Sequence, residues 1–199
     1  MKSTLQDIQS IAPMSEEKKD RDDDLVRASY EEGKRFLESR NYAQAAVSLH
    51  NALLGYEERG DEAGVANASN QLGHVCLARQ EFTAALKHYQ RAWDICVKMQ
   101  DEMSQIALQK KFLEVYCGTG DFRKAIEICL DLLDRYYQNN DPRGTVETLE
   151  QMATMYISAG ESGKAADAYR TIASIHRNFK HLSMAENFEK KAEEIEKAA

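Results

Sequence analysis

The chain has 199 residues, a formal net charge of −7, 30% charged residues and only two prolines. Acidity disfavours nucleic acid and anionic membrane surfaces, which a basic face would bind. No apolar run approaches the ~20 residues that span a bilayer.

From the N-terminus, MKSTLQDIQSIAP lacks the continuous apolar core of a secretory signal, so a cytoplasmic location is expected. Residues 1–23 read as a charged, disordered tail, because Ser15 to Asp24 is almost wholly charged and cannot bury a core. Within the tail, Leu5, Ile8 and Ile11 form a short apolar series that could dock on a groove. Ser15 offers an N-cap if the first helix extends backward.

A helical domain is expected over 24–199. Its first hairpin takes about 24–58, with the turn Ser39-Arg40-Asn41 inside it. Gly60 can end a helix and Asp61 can cap the next. Asp101 and Asp141 recur in that register, the latter followed by Pro142 at a first helical position. Hairpins are therefore expected over about 62–99, 102–139 and 142–178, with Gly120 and Gly160 in the turns of the last two. The segment 182–199 has one apolar face, from Leu182 through Phe188 to Ile195, and one charged face, as a capping helix needs.

These hairpins are copies of one unit. Shifting the chain by forty residues superposes Ala45, Ala85, Ala125 and Ala165, and also Tyr42, Phe82 and Phe122, with Ser162 breaking the series. Phe36, Cys76, Tyr116 and Tyr156 form a third column, and Leu49, Tyr89, Cys129 and Tyr169 a fourth. Gly33 and Gly73 continue as Leu113 and Ala153. Small side chains early in the second helix suit a close helix crossing. The Gly73 column reads as the matching small site on the first helix. The aromatics are expected to fill the space between hairpins. A single hairpin cannot bury its apolar face, so copies must stack.

In order, Leu72-Gly73, Cys76, Phe82, Ala85, Tyr89 and Ala92 resemble the tetratricopeptide repeat. The usual unit has about 34 residues; the longer period here, with Asn70-Gln71-Leu72-Gly73, is similar to the long-helix members of that family. The resemblance covers roughly 24–178 and implies an all-α, right-handed α-solenoid of four helix-turn-helix hairpins plus the cap. It also implies a protein-interaction module that holds a peptide or helical segment of a partner in a concave groove. Alternatives are a scaffold that self-associates into a homo-oligomer, and a cytosolic chaperone for one client protein.

First helices of successive hairpins line the concave face of such a stack. Helical spacing then puts Arg27, Tyr30 and Lys34 in the groove from the first hairpin. Asn67, Asn70 and His74 follow from the second, Lys110 and Glu114 from the third, and Glu147, Glu150 and Thr154 from the fourth. Asparagine both donates and accepts, so it can pair with the main chain of any extended segment. The resemblance assigns that grip on ligand backbone to Asn70. Arg27 and Lys34 at one end, with Glu147 and Glu150 at the other, suit a ligand with an acidic and a basic half. The carboxylate clamp of chaperone-binding relatives does not fit, since Tyr30 and Ala107 stand where lysines belong.

No HExxH, phosphate-binding glycine loop or GxSxG motif occurs, so neither catalysis, a metal nor a cofactor is expected. Cys76, Cys96, Cys117 and Cys129 form no CxxC pair and read as free thiols. Of the five histidines, only His176 and His181 lie close in sequence.

Overall fold

A computed structural model describes residues 16–198, and describes side chains from Leu25 onward. The described residues form nine helices. They are α1 (Glu16–Glu38), α2 (Tyr42–Arg59), α3 (Glu62–Ala78), α4 (Phe82–Lys98) and α5 (Glu102–Thr119), then α6 (Phe122–Gln138), α7 (Pro142–Ser158), α8 (Ser162–Asn178) and α9 (Leu182–Lys197). Each helix packs on its neighbours in sequence, from α1 on α2 to α8 on α9, and α1 also reaches α3. The result is an all-α solenoid of four hairpins closed by α9.

α1 starts at Glu16, inside the charged stretch expected to be tail. This is the backward extension of the first helix that the sequence left open, and it has a simple cause. That stretch contains neither glycine nor proline, and Glu, Lys and Arg are good helix formers. Once α1 is nucleated by packing on α2, adding turns costs far less than starting a helix. The series Leu5, Ile8 and Ile11 lies outside the described residues.

The turns repeat with a period half that of the hairpins. Positions 40, 60, 80, 100, 120, 140, 160 and 180 all have positive φ, between 50° and 74°. At each, the next residue's N–H donates back into the preceding helix, as from Asp61 to the Tyr56 carbonyl at 2.9 Å or Glu161 to Tyr156 at 2.8 Å. This satisfies carbonyls that a helix end would leave bare. Three of the eight sites are glycine, and Arg40, Gln80, Gln100, Asn140 and Lys180 take the rest. At helix starts, the carboxylates of Asp61, Asp101, Asp121 and Asp141 accept from backbone N–H groups three residues on.

Ala45, Ala85, Ala125 and Ala165 are fully buried, so the alanine column lies in the core, as a close helix crossing needs. The glycine column gives the first helix its small site against the second. Gly33 and Gly73 face Leu49 of α2 and Tyr89 of α4; a Cβ on Gly33 would lie 3.1 Å from the Leu49 backbone nitrogen, and one on Gly73 2.4 Å from the Tyr89 ring. Phe82 packs toward Gly118 of the next hairpin, filling space between repeats. Tyr169 and His176 of α8 stack on Phe188 of α9, with centroids at 6.0 and 5.5 Å, and the Arg170–Glu196 and Arg177–Glu189 pairs flank that contact.

Candidate binding surface

The odd-numbered helices carry all the residues expected in the groove. On α1, Arg27 is exposed and Tyr30 half-buried. The Tyr30 ring meets Tyr56 edge-on at 6.2 Å, and burial raises its phenol pKa against the opposing effects of Lys34 and a hydrogen bond with Gln71 of α3. Lys34 pairs with Glu31 at 3.1 Å and lies over the Tyr30 ring.

On α3, Asn67 is exposed and Asn70 half-buried, and the Asn70 Oδ1 has no hydrogen-bond partner within the chain. His74, one turn on, stands against Tyr89. Burial lowers its pKa; Lys111 acts in the same direction and Glu114 opposes. The imidazole is therefore neutral at pH 7, able to donate at one nitrogen and accept at the other.

Lys110 and Glu114 of α5 and Glu147 of α7 meet in one cleft of about 370 Å³, with Leu113, Thr148 and Gln151 among its walls. Arg27, Tyr30, Lys34, Asn67, Asn70, His74, Glu150 and Thr154 do not line it. His74 is coupled to its edge through Glu114, which pairs with Lys111 at 2.8 Å. Glu150 is half-buried, and the Thr154 hydroxyl donates to its carbonyl at 3.0 Å. The expected charge contrast is softened, because Lys34 pairs with Glu31 and Glu147 with Arg143 at 2.9 Å within their own helices. Such exposed pairs are weak and open readily for a ligand.

Two features escaped sequence reading. Gln71 links α3 to Tyr30, a contact set by the angle between hairpins. A larger cleft, about 760 Å³, opens on the other side of the stack between α4, α5 and α6. Its signal in the sequence is a change of charge between equivalent positions of successive repeats, which apolar columns do not reveal.

All four cysteines are free, and only Cys117 is exposed. Burial pushes the Cys129 thiol up to about 12, so it is an inert core group. Among the described residues no helix is long and apolar enough to cross a membrane, and no cluster of His, Cys, Asp or Glu could hold a metal ion.

A sequential stack of helical hairpins with this turn register defines a tetratricopeptide-like repeat protein, a fold typical of protein-interaction adaptors. The soluble NSF attachment protein (SNAP) family model matches residues 9–141, and the chain belongs to that family. No curated protein matches it. Among solved structures, the chain is similar to a putative kinesin light chain of nearly identical TPR-like repeats from Podosopora anserina. The TM-score is 0.66 at 13% identity, covering 86% of this chain and 92% of that one. Aspartyl phosphate phosphatase F from Bacillus subtilis is similar with TM-score 0.55 and 13% identity, covering 86% of this chain and 49% of that one. At such identity the likeness is one of fold.

Proposed function

We propose that the chain is a cytoplasmic, non-catalytic adaptor that holds an extended or helical segment of a partner protein along the face of α1, α3, α5 and α7. The observation that carries this reading is the unpaired Oδ1 of Asn70, half-buried next to the exposed Asn67 on the same helix. A half-buried acceptor without a partner is costly, and a main-chain N–H of a bound segment would satisfy it. His74 extends the polar row by one turn, and the cleft of Lys110, Glu114 and Glu147 takes a side chain farther along. The family is named for attachment to NSF, which makes NSF a specific candidate partner.

The test is partner binding by the double variant Asn67→Ala/Asn70→Ala. Partners that co-purify with the full chain are identified, and NSF is tested directly. The double variant should bind the partner about tenfold or more weakly while its melting temperature stays near the parent's. Binding equal to the parent's would move the working surface to the opposite face or to an interface between copies.

A further inference from the structure

The space between neighbouring hairpins is treated differently along the chain. Beside α4 of the second hairpin it is closed by ion pairs: Arg91 of α4 reaches Glu57 of α2 in the first hairpin, and Lys98 of α4 pairs with Glu62 of α3 within the second. Forty residues on, the equivalents of Arg91 and Glu57 are Asp131 and Val97, and those of Lys98 and Glu62 are Gln138 and Glu102. Neither bridge can form. The space stays open as the cleft of about 760 Å³ between α4, α5 and α6. One repeat further, Tyr137, Pro142, Ile175 and Phe179 line a smaller, mainly apolar cleft of about 270 Å³.

The open middle cleft carries more negative than positive charge. Glu102, Asp131 and Asp134 line it, and among the described residues none of them is in an ion pair. Its one cation is Arg135, which already donates to Gln105 Oε1 at 3.2 Å and lies 6.0 Å over the Trp93 ring. A second, independent observation lies at the wall formed by α5. Gln109 is only 6% exposed, and its Oε1 has no hydrogen-bond partner. A buried amide acceptor, three unpaired carboxylates and an indole all call for a cationic donor with a flat face. A guanidinium supplies five N–H donors in a fixed fork, pairs side-on with carboxylates and stacks on aromatic rings. Arg135 over Trp93 shows that the indole takes a guanidinium against one face. The volume exceeds that of a single guanidinium, leaving room for flanking main chain.

We propose that the cleft between α4, α5 and α6 receives an arginine side chain of a partner polypeptide, seated among Trp93, Gln109, Glu102, Asp131 and Asp134. This contact is independent of the proposed groove, since neither Asn67 nor Asn70 lines the cleft. It gives the chain a second point of attachment, on the side of the even-numbered helices.

Trp93 is the only tryptophan in the chain, so its emission reports on the cleft alone. The full chain is titrated with the acetylated, amidated peptide Ala-Ala-Arg-Ala-Ala, with its citrulline counterpart, and with free arginine amide. The arginine peptide should change the emission saturably, and citrulline, the same shape without charge, should bind about tenfold or more weakly. Val97→Glu with Asp131→Arg rebuilds the Glu57–Arg91 bridge across the cleft and should weaken the peptide by a similar factor. Both positions are exposed, which favours normal folding. Asp131→Asn with Asp134→Asn provides the same test without a new bridge. No saturable response to the arginine peptide, equal affinity for citrulline, or parent-like binding by both double variants would overturn the proposal. Arginine amide binding as tightly as the peptide would overturn the assignment to a polypeptide. Loss of partner binding in Asn67→Ala/Asn70→Ala would leave these titrations unchanged, so the two readings fail separately.

Discussion

The imidazole of His74 stands edge-on to the ring of Tyr89, with centroids 5.7 Å apart and planes at 87°. It is held neutral there by burial and by Lys111. Its native pKa is lowered, so as pH falls the unfolded chain takes up the proton first. Stability is therefore lost as pH drops through the ordinary histidine range, and the loss levels off below the native pKa. His88 shifts in the same direction through burial, Arg91 and His50, and shares this window. Urea denaturation at about pH 7.5 and about pH 5.5 should show a smaller loss for His74→Gln than for the parent. The remainder belongs largely to His88. Equal losses in parent and variant would refute the assignment.

Gly73 lies beneath the same tyrosine. An added methyl would sit 2.4 Å from the ring of a side chain that is itself fully buried. Gly73→Ala should destabilise by about 1–3 kcal/mol through overpacking. Gly163, in the first turn of α8, has open space around it. Gly163→Ala should stabilise by up to ~1 kcal/mol, since alanine loses less backbone freedom in a helix. Opposite signs in denaturant midpoint are the expected result.

Much of the fold was legible because its requirements recur. Alanine is needed wherever two helices cross closely, and an aspartate suits a helix start that follows a tight turn. Those columns therefore located Asp61, Asp101 and Asp141 correctly. The candidate binding surface was legible only residue by residue. That Lys110, Glu114 and Glu147 share a cleft while Asn70 lies apart depends on the angle between hairpins, which periodicity does not encode. The cleft between α4, α5 and α6 was hidden for another reason. Its rim is built from surface charges, and the interhelix bridges of one repeat are replaced by Val97, Asp131, Glu102 and Gln138 in the next without disturbing any apolar column. The early start of α1 was obscured because a charged run suits both a solvated tail and the exposed turns of a helix.

Caps at helix starts differ in strength. The Asp61 carboxylate accepts from the Gly64 N–H at 2.9 Å, whereas Glu81, at the equivalent place before α4, makes no such bond. Asp61→Ala should cost about 0.5–2 kcal/mol, and Glu81→Ala should stay within about 0.5 kcal/mol. Equal shifts in thermal midpoint would contradict the geometry.

Turn position 80 is held at φ +58 by a glutamine. A side chain in the left-handed region costs roughly 1–2 kcal/mol, so Gln80→Gly should raise stability by up to about 1 kcal/mol, less than that cost because glycine gains freedom when unfolded. Gly60→Ala, at φ +67 with no neighbouring atom to clash, should lower it through the backbone alone. Thermal denaturation decides both, and a stabilised Gly60→Ala would mean the turn can relax.

The terminal helix is fastened by Phe188, 7% exposed and stacked on Tyr169 and His176. Phe188→Ala should cost about 3–5 kcal/mol, while the exposed Lys190→Ala should stay within about 0.5 kcal/mol. Similar denaturation curves for the two would show that α9 does not seal the stack.

The regular spacing of the left-handed turn residues has a mechanical consequence. Helix and turn together always use the same length of chain, and each hairpin is held mainly by those next to it. A pull on the two ends should then peel the stack from one end, hairpin by hairpin. Forty residues drawn straight span roughly 140 Å, so slack would be released in nearly equal steps of somewhat less than that. A ligand gripped by several hairpins at once would resist such peeling, because early steps could not proceed without tearing it loose.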